Sequence, residues 1–183
     1  MTFKEIRSKK ILNGNIVPTL DEVFRLTKDK ICVNVEFKGE DLNGALEVLK
    51  LCKIHNNFEQ VHFSSFNWKF AEALDSGRET LNIPVRQPFG FLTHTMDVTE
   101  SFTIGKSGDG VTFGYDLIQG NKEGFKEVAK EIIKNGFRPK VYFSFKHNEI
   151  YEDYDLLDTF EIDTVITNEP FLMKRYYEQT RAQ

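Results

Sequence analysis

Histidine, cysteine and tryptophan are scarce in this 183-residue chain, with four, two and one copies respectively. Two cysteines, Cys32 and Cys52, are too few for a disulfide framework, so a reducing compartment is expected. No stretch approaches the ~18 apolar residues of a membrane-spanning helix. There is no basic excess either: the formal charge is −4, which gives no electrostatic footprint for nucleic acid. Low-complexity segments, linkers and sequence repeats of about 20–50 residues are missing, so one domain over residues 1–183 is expected. The basic start, "MTFKEIRSKK", contains Glu5 and leads into patterned sequence, and is read as folded chain rather than as a targeting peptide. The expected location is therefore intracellular, in the cytoplasm or an organellar matrix, and not secreted.

What is present is an ordinary globular composition, 40% hydrophobic and 28% charged, with seventeen phenylalanines that predict an aromatic core. A pattern of short strand then amphipathic helix runs along the chain. "PTLDEVFRLTKD" opens with Pro18 and places Leu20, Val23, Phe24 and Leu26 on one helical face. "DLNGALEVLKLCKIH" does the same with Leu42, Ala45, Leu46 and Leu49, and "NKEGFKEVAKEIIKNG" with Phe125, Val128, Ala129, Ile132 and Ile133. "WKFAEALDSG" predicts a helix stopping at Gly77, and "IYEDYDLLDTF" another. "NEPFLMKRYYEQ" predicts a closing helix with Asn168 as N-cap and Pro170 in its first turn. "MDVTESFTIGKSGDG" reads as a loop or a short irregular helix. Strands are predicted at about 31–37, 61–65, 89–93, 111–115, 141–145 and 163–167. Such alternation implies an α/β fold with a parallel sheet and helices packed on it. Six strands are two short of a closed (β/α)₈ barrel.

The first predicted strand, "ICVNVEFKGE", puts Ile31, Val33, Val35 and Phe37 on one face and Cys32, Asn34, Glu36 and Lys38 on the other. In a barrel the apolar face would meet the helix ring, and the charged pair would face the interior near the mouth formed by the strands' C-terminal ends. Four segments, "IVPTLDEVF", "VNVEFKG", "VHFSSFN" and "TVITNEPFLM", resemble in order and spacing those of the glycerophosphodiester phosphodiesterase family, from about Ile16 to Met173. The resemblance implies an incomplete TIM-type (β/α) barrel of about six parallel strands with surrounding helices. It further implies a metal-dependent hydrolase that splits glycerophosphodiesters in lipid metabolism, with Mg²⁺ or Ca²⁺ on carboxylates and two histidines as general acid and base. Hard cations suit such oxygen ligands and would offset charge on the transferring phosphate. Glu36 matches the third family carboxylate, and Lys38 the lysine after it.

The chain departs from the family at the catalytic end. It has no HRG, no ExD upstream of Glu36 and no HD, so the predicted strands correspond to family strands three to eight. The catalytic histidines and two of three metal ligands would lie on the absent pair, and no catalytic residue is assigned within this chain. A cofactor is not expected for it alone; Mg²⁺ or Ca²⁺ is expected if a catalytic segment completes it, with Glu36 as metal ligand and Lys38 and Ser64 as substrate-binding residues, vestigial or composite. "FSFKH" at Phe143–His147 also replaces a VWTVN-like run.

Each of these residues has a plainer reading. Glu36 and Lys38 form an inward ion pair; Ser64, Ser65 and Asn67 cap a strand end and helix start. His55 and His62 are structural. His94 and His147, with Asp97 or Asp116, could make a new metal site, though the spacing fits no metal motif. "SGDG" at Ser107–Gly110 is a turn, since it lacks the Lys-Ser/Thr of a phosphate loop. An unfinished barrel leaves two bare strand edges beside a gap expected to be apolar. Leaving roughly 400 Å² of such surface wet would forfeit about 10 kcal/mol, comparable to a domain's net stability of about 5–15 kcal/mol. A protein partner or a second copy is therefore expected to cover the edges. Two functions remain open: a non-catalytic phosphodiesterase-like subunit of a larger complex, or the C-terminal portion of an enzyme whose catalytic segment is missing or separate.

Overall fold

The computed structural model describes residues 2–11 and 14–180. Its centre is one sheet of six parallel strands in sequence order: β1 (Val33–Phe37), β2 (Val61–Ser65), β3 (Phe89–Thr93), β4 (Gly110–Gly114), β5 (Arg138–Tyr142) and β6 (Thr164–Ile166). The sheet curls into a half-barrel with helices outside, an incomplete TIM-type barrel. β1 pairs only with β2 and β6 only with β5, so among the described residues both edges are open. No helix of the described residues is long and apolar enough to cross a membrane.

The helices form where the apolar spacing predicts. α1 (Phe3–Ser8) is tied to α2 (Leu20–Thr27) by Arg7, which donates to Glu22 at 2.8 and 3.1 Å and to the Val17 carbonyl. Thr19 caps α2, and Glu22 returns the bond to the Thr19 N–H, closing a capping box. The Thr19 hydrogen bond, then Arg7, hold the Glu22 carboxyl below its ordinary pKa. α3 (Asn43–His55) packs on α4 (Lys69–Leu81), and both end in a left-handed asparagine, Asn56 and Asn82.

α4 corrects one expectation. It does not stop at Gly77 but runs four residues further, because Gly77 is a contact point and not a terminator. A Cβ there would stand 2.8 Å from Leu49 Cδ1, so the bare backbone is what lets α3 and α4 approach. The segment before β4 forms a short helix, α5 (Thr99–Ile104), followed after the strand by α6 (Tyr115–Gly120) and α7 (Lys122–Lys134). α8 (Tyr151–Asp158) and α9 (Pro170–Thr180) complete the ring.

Two further corrections concern the last strands. β5 spans 138–142, not 141–145, because its ladder to β4 starts at Gly110↔Arg138 and ends at Gly114↔Tyr142; the apolar run 143–145 leaves the strand. Asn168 does not cap α9. Its side chain donates to the Phe143 and Ser144 carbonyls, and its N–H to Glu149 at 2.6 Å, which fastens the end of β6 to the loop after β5.

The core lies between the outer face of the sheet and the helices. Phe63, Phe89, Phe91 and Phe113 project outward from consecutive strands and meet Phe70, Leu74, Ile118, Phe125 and Ile132 from the helices. Edge-to-face contacts order them, as in Phe113–Phe125 at 5.2 Å and Phe89–Phe91 at 4.8 Å between centroids. Burying each such ring contributes roughly 1.5–3 kcal/mol. Both cysteines are free: Cys52 is buried in this layer, its thiol pushed up to about 12 by desolvation, and Cys32 is exposed.

The inner face of the sheet is mixed in character. The positions that alternate with the phenylalanines are Asn34, His62, Ser64, Gly90, Thr112 and Lys140, and they border one cavity inside the curl. Val33, Phe63, Pro88 and Ile166 border it too and its exposed lining is mainly apolar, so the expected cost of leaving the gap wet stands. The open edges and their unpaired backbone groups remain.

Candidate functional site

The C-terminal ends of the strands form the mouth of the half-barrel, the end at which barrel folds assemble their sites. Glu36 and Lys38 sit there at the exit of β1. Lys38 Nζ lies 2.7 Å from Glu36 Oε1, and the two side chains are 78% and 31% exposed respectively. The pair is a solvated ion pair, worth at most about 1 kcal/mol.

Ser64 neighbours Glu36 across the ladder but does not cap a strand. Its hydroxyl oxygen accepts a hydrogen bond from Asn34 Nδ2 at 3.0 Å. The capping expected of the SSFN segment is done by Ser65 and Asn67. Ser65 donates to the Phe37 carbonyl at 2.8 Å and accepts from the Asn67 N–H at 3.0 Å, and the Asn67 side chain accepts from the Lys69 N–H.

A second cluster at the mouth is aromatic. Phe66 stacks on His94 at 4.3 Å, and His94 Nδ1 lies 3.2 Å from the Tyr142 hydroxyl. Burial raises the Tyr142 phenol, and the charges of Asp116 and Glu36 raise it further, so both carboxylates bear on this rim. The carboxylates themselves face different partners. Asp116 Oδ1 lies 3.9 Å from His147 Nδ1, and Glu36 turns to Lys38.

His147 is held on its other side. Its Nε2 is 2.8 Å from Asp153 Oδ2, and the Tyr115 hydroxyl donates to Asp153 Oδ1 at 2.7 Å. Asp153 also accepts the Ile150 N–H at the start of α8, so the constellation doubles as a helix N-terminus. Burial works to raise the Asp153 carboxyl, but the hydrogen bonds from His147, Ile150 and Tyr115 outweigh it and the net shift is downward.

Of the residues weighed as a new metal site, His147 and Asp116 approach to 3.9 Å, and the others are not brought to them. His94 engages Tyr142, His147 engages Asp153, and Asp97 accepts the Thr99 N–H at the start of α5. His55 is structural, 2.8 Å from Asp21 and edge-on to Phe24. Among the described residues no group of three His, Cys, Asp or Glu side chains stands close enough to hold an ion. A hard divalent cation takes about six oxygens or more. Glu36, with one oxygen on Lys38, does not fit one by itself.

One buried group escaped the sequence reading. Asp109, in the SGDG turn, is fully buried and accepts Arg86 bidentately at 2.6 and 2.7 Å. It also accepts the Phe89 and Lys106 N–H groups, which pins the entry of β3 to that of β4. The turn was legible, as was the local Lys106 N–H; the donors from Arg86 and Phe89 are too distant in sequence to see.

No family model matches the sequence, and no curated protein matches it. Solved structures do. A protein assigned as a glycerophosphodiester phosphodiesterase, from Galdieria sulphuraria, superposes with a TM-score of 0.77 at 18% identity, over 97% of this chain and 70% of that one. A glycerophosphodiester phosphodiesterase from Parabacteroides distasonis gives 0.74 at 18% identity, over 100% and 72%. A protein assigned as a glycerophosphoryl diester phosphodiesterase, from Silicibacter pomeroyi, gives 0.73 at 17% identity, over 98% and 69%. The chain thus has the fold seen in these glycerophosphodiester phosphodiesterases, in the form of a partial barrel spanning about 70% of their length.

Proposed function

We propose that this chain is a non-catalytic, phosphodiesterase-like subunit that takes part in a larger assembly through its open sheet edges. The observation that carries the reading is the state of Glu36. It is paired with Lys38 on the rim, while Asp116, a further carboxylate whose charge reaches that rim, faces His147 instead. A lone glutamate beside an ammonium binds a cation weakly and offers no acid–base pair for a phosphodiester. The unpaired edges of β1 and β6 supply the reason for a partner, since such edges recruit strands. Another polypeptide or a second copy of this chain would serve, in the intracellular setting that the free cysteines suit.

The test is purification under native conditions with light scattering to give the mass of the species. Assay against glycerophosphocholine follows, with Mg²⁺ and with Ca²⁺. A mass above that of one chain and no hydrolysis support the proposal; a monomer that hydrolyses the diester refutes it.

A second reading is favoured by placement alone. Glu36 and Lys38 stand at the mouth, where a segment bearing two histidines and two carboxylates could complete a composite phosphodiesterase. Mg²⁺ or Ca²⁺ would then be expected, with Glu36 toward the metal and Lys38 and Ser64 toward substrate; the bond from Asn34 occupies the Ser64 oxygen only as an acceptor. Hydrolysis by the assembly that disappears in Glu36→Gln would establish this reading over the first.

A further inference from the structure

The cavity inside the curl opens toward the N-terminal ends of the strands, away from Glu36 and Lys38. Its volume is about 340 Å³, and residues from all six strands or their entries border it, from Asn34 on β1 to Thr164 on β6. Two glycines in register shape it: Gly90 on β3 leaves room beside Ser64 and Thr112, and Gly110 on β4 makes room for the Lys140 stem. A Cβ on Gly90 would come within 3.3 Å of Ser64 Cβ and 3.5 Å of Thr112 Oγ1. One on Gly110 would stand 2.7 Å from Lys140 Cδ, because the lysine stem lies flat over that backbone.

We infer that this cavity is a binding site for a phosphate-class oxyanion, held by Lys140, His62, Thr112 and Ser64. The inference is independent of the reading proposed for the mouth. Among the described residues, the side chains of Lys140, His62 and Thr112 have no hydrogen-bond partner, though all three border the cavity. The Ser64 oxygen accepts from Asn34, which leaves the Ser64 proton to donate. The acid in the cavity is already engaged: Asp163 pairs with Arg138 at 3.2 Å and accepts the Thr164 hydroxyl at 2.7 Å. One cation, Lys140, is left over, and the field it shares with Arg138 favours an anion.

Desolvation lowers the Lys140 ammonium, and the charge of Asp163 works against that shift. His62 is lowered by burial and then by the charges of Lys140 and Arg138, again against Asp163. A partly desolvated ammonium without an acceptor is costly, and an anion would remove that cost with charge-assisted hydrogen bonds. Donors reach the space from three strands, β2, β4 and β5, which suits the spread of oxygens on a tetrahedral ion better than the two coplanar oxygens of a carboxylate.

The experiment is calorimetric titration of the intact chain with inorganic phosphate near neutral pH. Sodium chloride at matched ionic strength is the control, and the histidine ring resonances are followed by NMR. The expected result is saturable one-to-one binding that shifts His62 and leaves His94 in place. Lys140→Met should weaken it roughly tenfold or more, and Thr112→Val several-fold. Thr112→Val adds no bulk and keeps the test decisive if the lysine variant folds poorly. No saturable heat, equal competition by chloride, or binding untouched by both variants would overturn the inference. Binding abolished by Lys38→Met and not by Lys140→Met would also overturn it, and would place the anion at the mouth.

Discussion

On the outer face of the sheet, Val61, Phe63, Phe89, Phe91, Val111, Phe113 and Val141 are almost wholly buried against the helices. On the inner face the same strands present Asn34, His62, Ser64, Gly90, Thr112 and Lys140 around a cavity. A closed barrel needs its lumen filled because eight strands surround it; an open curl does not. The contrast shows where the stability of this molecule resides. The shell between sheet and helices is packed with interlocking aromatics and holds the strands without barrel closure. The lumen is thereby free to stay underfilled, and the donors of Lys140, His62 and Thr112 survive there among apolar lining.

The sharpest way to break this comparison is to damage the shell. Phe113→Ala should destabilise the chain by about 3–5 kcal/mol in denaturant unfolding, since its ring is fully buried against Phe125. Asp109→Asn comes next. It takes the bidentate, fully buried partner from Arg86, and the loss should be about 3 kcal/mol, the lower end for a buried pair because Arg86 is partly solvated and keeps Asp75 at 3.2 Å. Lys140→Met should change stability by less than about 1 kcal/mol, in either direction, because it removes a desolvated charge along with its packing. A loss from Lys140→Met as large as that from Phe113→Ala would mean that the lumen carries the fold, and the comparison would fail. Smallest of all is Glu36→Gln, at about 0.5 kcal/mol or less, as for other solvated pairs.

The shell was far more legible in the sequence than the lumen, for a physical reason. Helix faces and strand order follow from local periodicity, so Leu49, Phe24 and Ile132 could be placed by spacing alone, and all three are buried. The four-segment resemblance added the barrel reading, and the fold bears it out. What failed depends on contacts between distant residues. Gly77 reads as a helix stop until Leu49 is seen against it, and the apolar run 143–145 reads as strand until β4 fixes the register of β5. Asn168 is an ideal cap by type, yet the loop after β5 offers its side chain two carbonyls. At the mouth, Glu36 and Lys38 form the pair that the plainer reading expected, on the solvated rim rather than inward, and Ser64, read there as a cap, accepts from Asn34. The donors of the lumen were missed because Gly90 and Gly110 interrupt the alternation of β3 and β4, which leaves Thr112 as an isolated polar residue between apolar ones.

The most direct trial of the central claim is a phosphodiesterase assay on the purified chain by itself, against glycerophosphocholine with Mg²⁺ or Ca²⁺ added. The account predicts no hydrolysis above that of the metal-containing buffer. Turnover by the isolated chain that vanishes in Glu36→Gln would contradict it.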